Sequence, residues 1–182
     1  MQHRIIAVEI RPGLPAAEAH RHWRERHAEV YALAPLLRGY VQNRPLEEEW
    51  PRLGARSICS ETWFDDREAE RESFTSSYYV DVVMPDEETF LERASAWAGR
   101  LVAGAPGPPG RARYRVLAFG TDSLPDVDAD VLQVDRPTWV GGDAAVASLW
   151  LADRERALEI ARSASVFAFA AEPAVVVAPP PA

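Results

Sequence analysis

The sequence predicts an α+β protein. Three observations carry that expectation. Short β-branched apolar runs alternate with capped stretches of helical apolar period. Up to about residue 119 these fall in the order β-α-β-β-α-β, and a shorter β-β-α-β order follows.

Arg4 to Ile10 (RIIAVEI) reads as the first strand, ended by Pro12 and Gly13. Pro15 suits the first turn of a helix, which the apolar period carries to about Leu37, with Pro35 kinking or ending it. Gly39 to Arg44 (GYVQNR) reads as the second strand, stopped by Pro45. The acidic turn Glu47-Glu48-Glu49, with Pro51 and Gly54, leads to a third strand from about Arg56 to Phe64. Asp65 or Asp66 can cap the next helix, and Glu68 stands three after Asp65 in capping-box spacing. From Phe74 to Met84 no period is readable. A capped helix is expected from Asp86 to about Leu101, with Phe90, Leu91, Ala94 and Trp97 at helical spacing. Ala103 to Gly110 (AGAPGPPG) reads as a linker, and Tyr114 to Phe119 (YRVLAF) as the fourth strand. That order is the signature of a ferredoxin-like α+β module, expected to occupy residues 1–120.

Residues 121–182 are expected to form a second unit packing on the first. An acidic loop (Asp122 to Asp130) precedes strands at Val131 to Asp135 and Ala144 to Leu151. A helix from Asp153 to about Ser165, a strand near Ala174 to Val177 and a fraying PPPA end complete it. The order is that of the first module without its opening strand and helix, hence a degenerate ferredoxin-like half-module.

Composition narrows the function. The 182 residues are 47% hydrophobic, enough for one sizeable domain or two small ones. A formal charge of −8 argues against a nucleic-acid partner, which needs a basic face. No apolar run approaches the roughly 18 residues of a membrane helix, so no membrane partner is expected. The amino-terminal stretch lacks a signal-peptide pattern and the single cysteine, Cys59, allows no internal disulfide, so the expected location is the cytoplasm. All 20 basic residues are arginines, which removes lysine Schiff bases, covalent pyridoxal phosphate and the phosphate-binding lysine of a Walker loop. No GxGxxG spacing occurs.

The first helix carries the candidate chemistry. At about 100° per residue, His20, Trp23, His27, Tyr31 and Ala34 share a stripe roughly 80° wide, while His22 falls on the solvated face, where no role is expected. Two histidines on a buried stripe are either core groups or the walls of a cavity between helix and sheet. Being seven residues apart, about 10.5 Å along the axis, they cannot share one metal ion. A single-histidine haem ligand survives that test. Acid/base chemistry suits them better, because an imidazole with an ordinary pKa near 6.5 exchanges protons at neutral pH. Strand alternation puts Cys59, Glu61 and Trp63 on one face; Glu61 is a candidate histidine partner or base, with a salt bridge to an arginine as its structural alternative. Tyr40, Asn43, Tyr78 and Tyr79 are candidate polar lining.

These residues also carry a resemblance. HRHWRERHAEV, a proline-containing helix end and GYVQN resemble the EthD-domain family, through Trp23, His27, Tyr40 and Asn43. ETWFDD (Glu61 to Asp66) and DEETFLE (Asp86 to Glu92) are similar to later stretches of that family, and the likeness spans about residues 4–119. The resemblance implies a dimeric α+β barrel and, by analogy with polyketide cyclases and dehydratases, quinone-forming oxygenases and muconolactone isomerases, catalysis without metal or organic cofactor. The expected protein is thus a homodimeric, cofactor-independent enzyme acting on a small aromatic or polyketide-like substrate. Its chemistry would be cyclisation, dehydration, isomerisation or oxidation, with His27 and His20 catalytic and Trp23, Tyr31, Tyr40, Asn43, Glu61 and Trp63 binding substrate. The alternatives are a haem-binding α+β barrel protein and a non-catalytic binding or assembly module.

Overall fold

A computed structural model describes residues 1–101, 112–120 and 146–179, and the backbone of 131–135. The first strand, β1 (Gln2–Ile10), is followed by one helical run: α1 (Ala16–His22), a π-helical turn (Trp23–His27) and α2 (Ala28–Ala32). Then come β2 (Gly39–Pro45), a 3-10 turn with α3 (Trp50–Leu53), β3 (Ile58–Phe64) and α4 (Arg67–Thr75). Asp66 caps α4 by accepting the Ala69 N–H at 2.9 Å. A second π turn (Tyr79–Val83) runs into α5 (Met84–Phe90) and directly into β4 (Leu91–Leu101). The remainder is β5 (Tyr114–Phe119), β6 (Val131–Asp135), β7 (Val146–Leu151), α6 (Arg154–Ser163) and β8 (Phe167–Val177).

The eight strands form one antiparallel sheet in the order β4-β1-β3-β2-β8-β5-β7-β6. The first four strands have the ferredoxin-like order 4-1-3-2, and β5 to β8, numbered afresh, repeat it. The two groups join where β2 pairs with β8, from Tyr40↔Val177 to Pro45↔Ala171. The α+β class and the ferredoxin-like order of the first module are as the sequence predicts.

Three expectations need correction. The helix expected from Asp86 to Leu101 ends at Phe90, and Leu91–Leu101 is strand β4. Its alanines permit a helix, but the open edge of β1 needs a hydrogen-bonded neighbour, and tertiary pairing overrides local propensity. Tyr114–Phe119, expected as the fourth strand, pairs with β7 and β8, so the division expected at residues 120 and 121 separates β5 from its own partners. The last strand begins at Phe167, well before Ala174. The expected linker 103–110 and acidic loop 122–130 lie outside the described residues.

Side chains alternate between two faces of the sheet. One face meets the helices: Ile10 and Ile58 pack with Ala19, Trp23 and Phe90, and Tyr40 packs with Val30, Tyr31 and Tyr79. On the other, Ile5 of β1 shares a core with Cys59, Leu117 of β5, Val146 of β7 and Phe169 of β8. Four strand spacings separate β1 from β5, about 19 Å on a flat sheet. Their contact therefore requires the sheet to curl around this interior.

Candidate active site

The helical run places His27 at the close of the π turn, on the side facing the sheet. His20, Trp23, His27, Tyr31 and Ala34 are all buried, as their stripe predicts. The Trp23 carbonyl accepts the Gln42 amide at 2.7 Å, tying the π turn to β2. Such turns recur at functional sites because the extra residue re-aims the side chains that follow.

His27 Nδ1 donates to Asp86 Oδ2 at 2.8 Å, and His22 Nε2 donates to Asp86 Oδ1, also at 2.8 Å. One carboxylate at the start of α5 thus holds two imidazoles of the first helical run. Burial opposes the Asp86 charge, but the hydrogen bonds and charge of His27 and His22 outweigh it and hold the carboxyl below its usual range. With Nδ1 committed, a neutral His27 presents Nε2 as an acceptor, and that atom has no hydrogen-bond partner among the described residues. The ring stands among Phe90, Tyr31 and Tyr40, with centroids 5.1, 5.4 and 6.4 Å away.

A second acid lies beside this pair. Glu87 accepts the Tyr79 hydroxyl at 3.0 and 3.1 Å and pairs with Arg93 at 3.2 Å. Burial raises its pKa, while the nearby His27 charge, Tyr79 and Arg93 counter only part of the effect. Burial likewise raises the Tyr79, Tyr31 and Tyr40 phenols, so all three stay protonated at neutral pH.

His20 is placed elsewhere. It is sealed from solvent, stacks on Trp50 at 4.3 Å with the rings nearly parallel, and shares a 2.9 Å hydrogen bond between its Nε2 and Ser57 Oγ. Burial, helped by the Arg24 charge, lowers its pKa to about 4. It is a neutral core imidazole whose partners differ from those of His27.

The other expected site residues are divided by the sheet. Trp23, Tyr31 and Tyr40 share the helix side with His27. Asn43, Glu61 and Trp63 point to the interior, where they cannot line a helix-side pocket. There Glu61 accepts His3 Nε2 and Asn43 Nδ2, each at 2.8 Å, and is ion-paired with Arg115 of β5. Burial works against the Glu61 charge, but Arg115, His3 and Asn43 prevail and take its pKa down to about 2. Trp63 stacks on His3 at 4.1 Å. Cys59 lies on the same face, and burial pushes its thiol pKa up, which leaves it unreactive.

Sequence reasoning missed Asp86, Glu87 and His22. The acidic DEET run was visible, but nothing local links residue 86 to residues 22 and 27. An ideal α-helical period puts His22 on the solvated face; the chain folds Asp86 over it.

The model of the EthD domain family matches residues 11–94, a span that contains both His27 and Asp86. Among solved structures, a candidate monooxygenase from Fusobacterium nucleatum is 10% identical, with 96% of this chain and 92% of that chain covered at a TM-score of 0.50. A candidate monooxygenase from Lactobacillus acidophilus is 9% identical, with coverages of 96% and 93% and a TM-score of 0.48. An Arabidopsis thaliana protein is 11% identical; 59% of this chain covers 99% of it, at a TM-score of 0.42. No curated protein matches the chain. At these identities the likeness is one of fold.

Proposed function

We propose, from the match of residues 11–94 to the EthD domain model, that this protein is an enzyme using His27 as a general base and acid. The observation that carries the reading is the 2.8 Å bond from His27 Nδ1 to Asp86, which orients the ring and leaves Nε2 open. Asp86 fixes the tautomer and stabilises the imidazolium that forms when Nε2 takes a proton. Glu87, whose pKa is raised by burial, stands next to it as a secondary proton carrier, with the Tyr79 hydroxyl donating to it.

The substrate class is a small aromatic or polyketide-like molecule with an acidic C–H beside a carbonyl, or a phenol. Removal of that proton is the step common to cyclisation, dehydration, isomerisation and oxidation. Tyr31, Tyr40 and Phe90 supply aromatic surface around the base. No metal or organic cofactor is invoked, and His20 takes no part. Among the described residues no helix is long and apolar enough to cross a membrane; a cytoplasmic location belongs to the proposal, as does the absence of a nucleic-acid partner. So does a homodimer. Leu33 is 70% exposed just beyond α2, Val80 and Val82 are exposed on the π turn that touches α2, and a second copy would cover them.

The test is proton exchange in D2O. The full-length protein should accelerate deuterium incorporation beside the carbonyl of aryl methyl ketones and polyketide-like diketones, read by NMR. A His27→Gln variant should lose that acceleration while remaining folded. Equal exchange by the two proteins would overturn the assignment.

A further inference from the structure

Among the described residues, the interior of the curled sheet is not filled. A cavity of about 300 Å³ lies at one end, on the face turned away from the helices, walled by Trp97 of β4, Phe119 of β5, and Phe167 and Phe169 of β8. Trp97 and Phe119 meet edge to face, 5.3 Å apart at 81°, as do Phe167 and Phe169, 6.2 Å apart at 62°, while Phe119 and Phe169 are stacked 6.0 Å apart at 21°. Phe169 is buried, whereas Trp97, Phe119 and Phe167 are only partly so. All four line the cavity.

The rim is polar. Arg56 Nε donates to Glu9 at 2.9 Å, and the Glu9 N–H donates to Ser95 Oγ at 2.9 Å. A β-bulge between Ala7 and Glu9, where β1 loses register with β4, opens the wall at this point. The walls come from strands of both four-strand groups, so neither group builds the site by itself.

We infer that this cavity is a binding site for a planar, uncharged aromatic molecule of one or two fused rings. Close-packed interiors rarely leave a void of this size, and an apolar cavity takes up small apolar molecules readily. The volume is at the lower limit of ligand pockets, which sets the ring count, and aromatic walls favour offset or edge-on stacking of a flat guest. The rim carries one cation already paired with one anion, which favours a neutral guest with a single polar substituent at the mouth. None of the residues around His27 lines this space, so the site is separate from the proposed catalytic one.

The experiment is calorimetric titration of the full chain with 2-naphthol, repeated on three variants. The wild-type protein should bind one equivalent saturably. Ala7→Phe, which fills the cavity from β1, and Phe167→Ala, which removes one wall, should each weaken binding at least tenfold with an unchanged circular-dichroism spectrum. His27→Gln should bind as wild type does. Should Ala7→Phe not fold, Phe167→Ala alone carries the test. Absence of saturable binding to wild type, or binding that survives both interior substitutions, would overturn the inference. Loss of binding in His27→Gln alone would place the guest on the helix side and overturn it as well.

Discussion

Two carboxylates on opposite sides of the same sheet, the buried Glu61 and the half-buried Asp86, divide the labour of this molecule. Glu61 is saturated. Its oxygens take hydrogen bonds from β1 and β2 and an ion pair from Arg115, which belongs to the other four-strand group. Asp86 also serves two groups, but both are imidazoles of one helical run, and one of them, His27, keeps a nitrogen without a partner. A carboxylate whose two oxygens are both held by the framework fastens the framework. One that orients an imidazole with an open nitrogen is arranged for proton transfer.

That contrast can be broken by substitution, beginning where the largest effect is expected. Arg115→Met leaves the Glu61 charge buried without its cation, and should cost about 3–5 kcal/mol of stability, read by urea unfolding. A cost under about 1 kcal/mol would show that Glu61 is not a fastening.

Acid titration sharpens the picture further, because two groups lose stability in separate windows. His20 has its pKa lowered to about 4 in the folded state, against about 6.5 unfolded. The unfolded chain therefore binds the proton first, and stability declines as pH falls from about 6.5 towards 4, by on the order of 3 kcal/mol. His20→Phe should flatten that window. Glu61, held down to about 2, contributes stability that is complete above its ordinary value near 4.5 and is lost as pH falls from there to about 2. That lower window should disappear in Arg115→Met. Unfolding midpoints measured from pH 8 to pH 2 check both, and a single shared window would contradict the assignment.

On the Asp86 side the effects fall on turnover. His27→Gln should lower catalysed proton exchange by about 100-fold or more, with a stability change of about 1 kcal/mol. Asp86→Asn, which supplies the wrong partner for Nδ1, should lower it by about tenfold or more. If Asp86→Asn instead costs more stability than activity, the two carboxylates play the same part. The smallest effect is none: EDTA, nicotinamide and flavin should leave exchange unchanged, and loss on chelation restored by a metal would end the cofactor-free reading.

Much of this was legible in the chain. The stripe from His20 to Ala34 follows from helical period, because side chains three and four apart share a face whatever packs against them. The ferredoxin-like order could be read because strands and helices there are bounded by Pro12, Gly13, Pro45 and the Asp66 cap. Leu91–Leu101 could not be read, since its alanines and its single tryptophan fit a helix locally. Its strand conformation comes from β1, roughly ninety residues earlier in sequence. Asp86 was missed for a related reason: 59 residues separate it from His27, and no periodicity spans that distance.

The sequence by itself determined the class, the buried histidine stripe and the exclusion of lysine chemistry, because composition and short-range period need no partner to have their effect. Tertiary structure alone decided that His27 rather than His20 is held by a carboxylate, that His22 turns onto Asp86, and that Glu61 pairs with Arg115. It also decided that β5 opens a second four-strand group whose β8 pairs with β2. Each of these depends on which distant strands share hydrogen bonds. That choice is made by burying both faces of the sheet at once, and no local segment carries it.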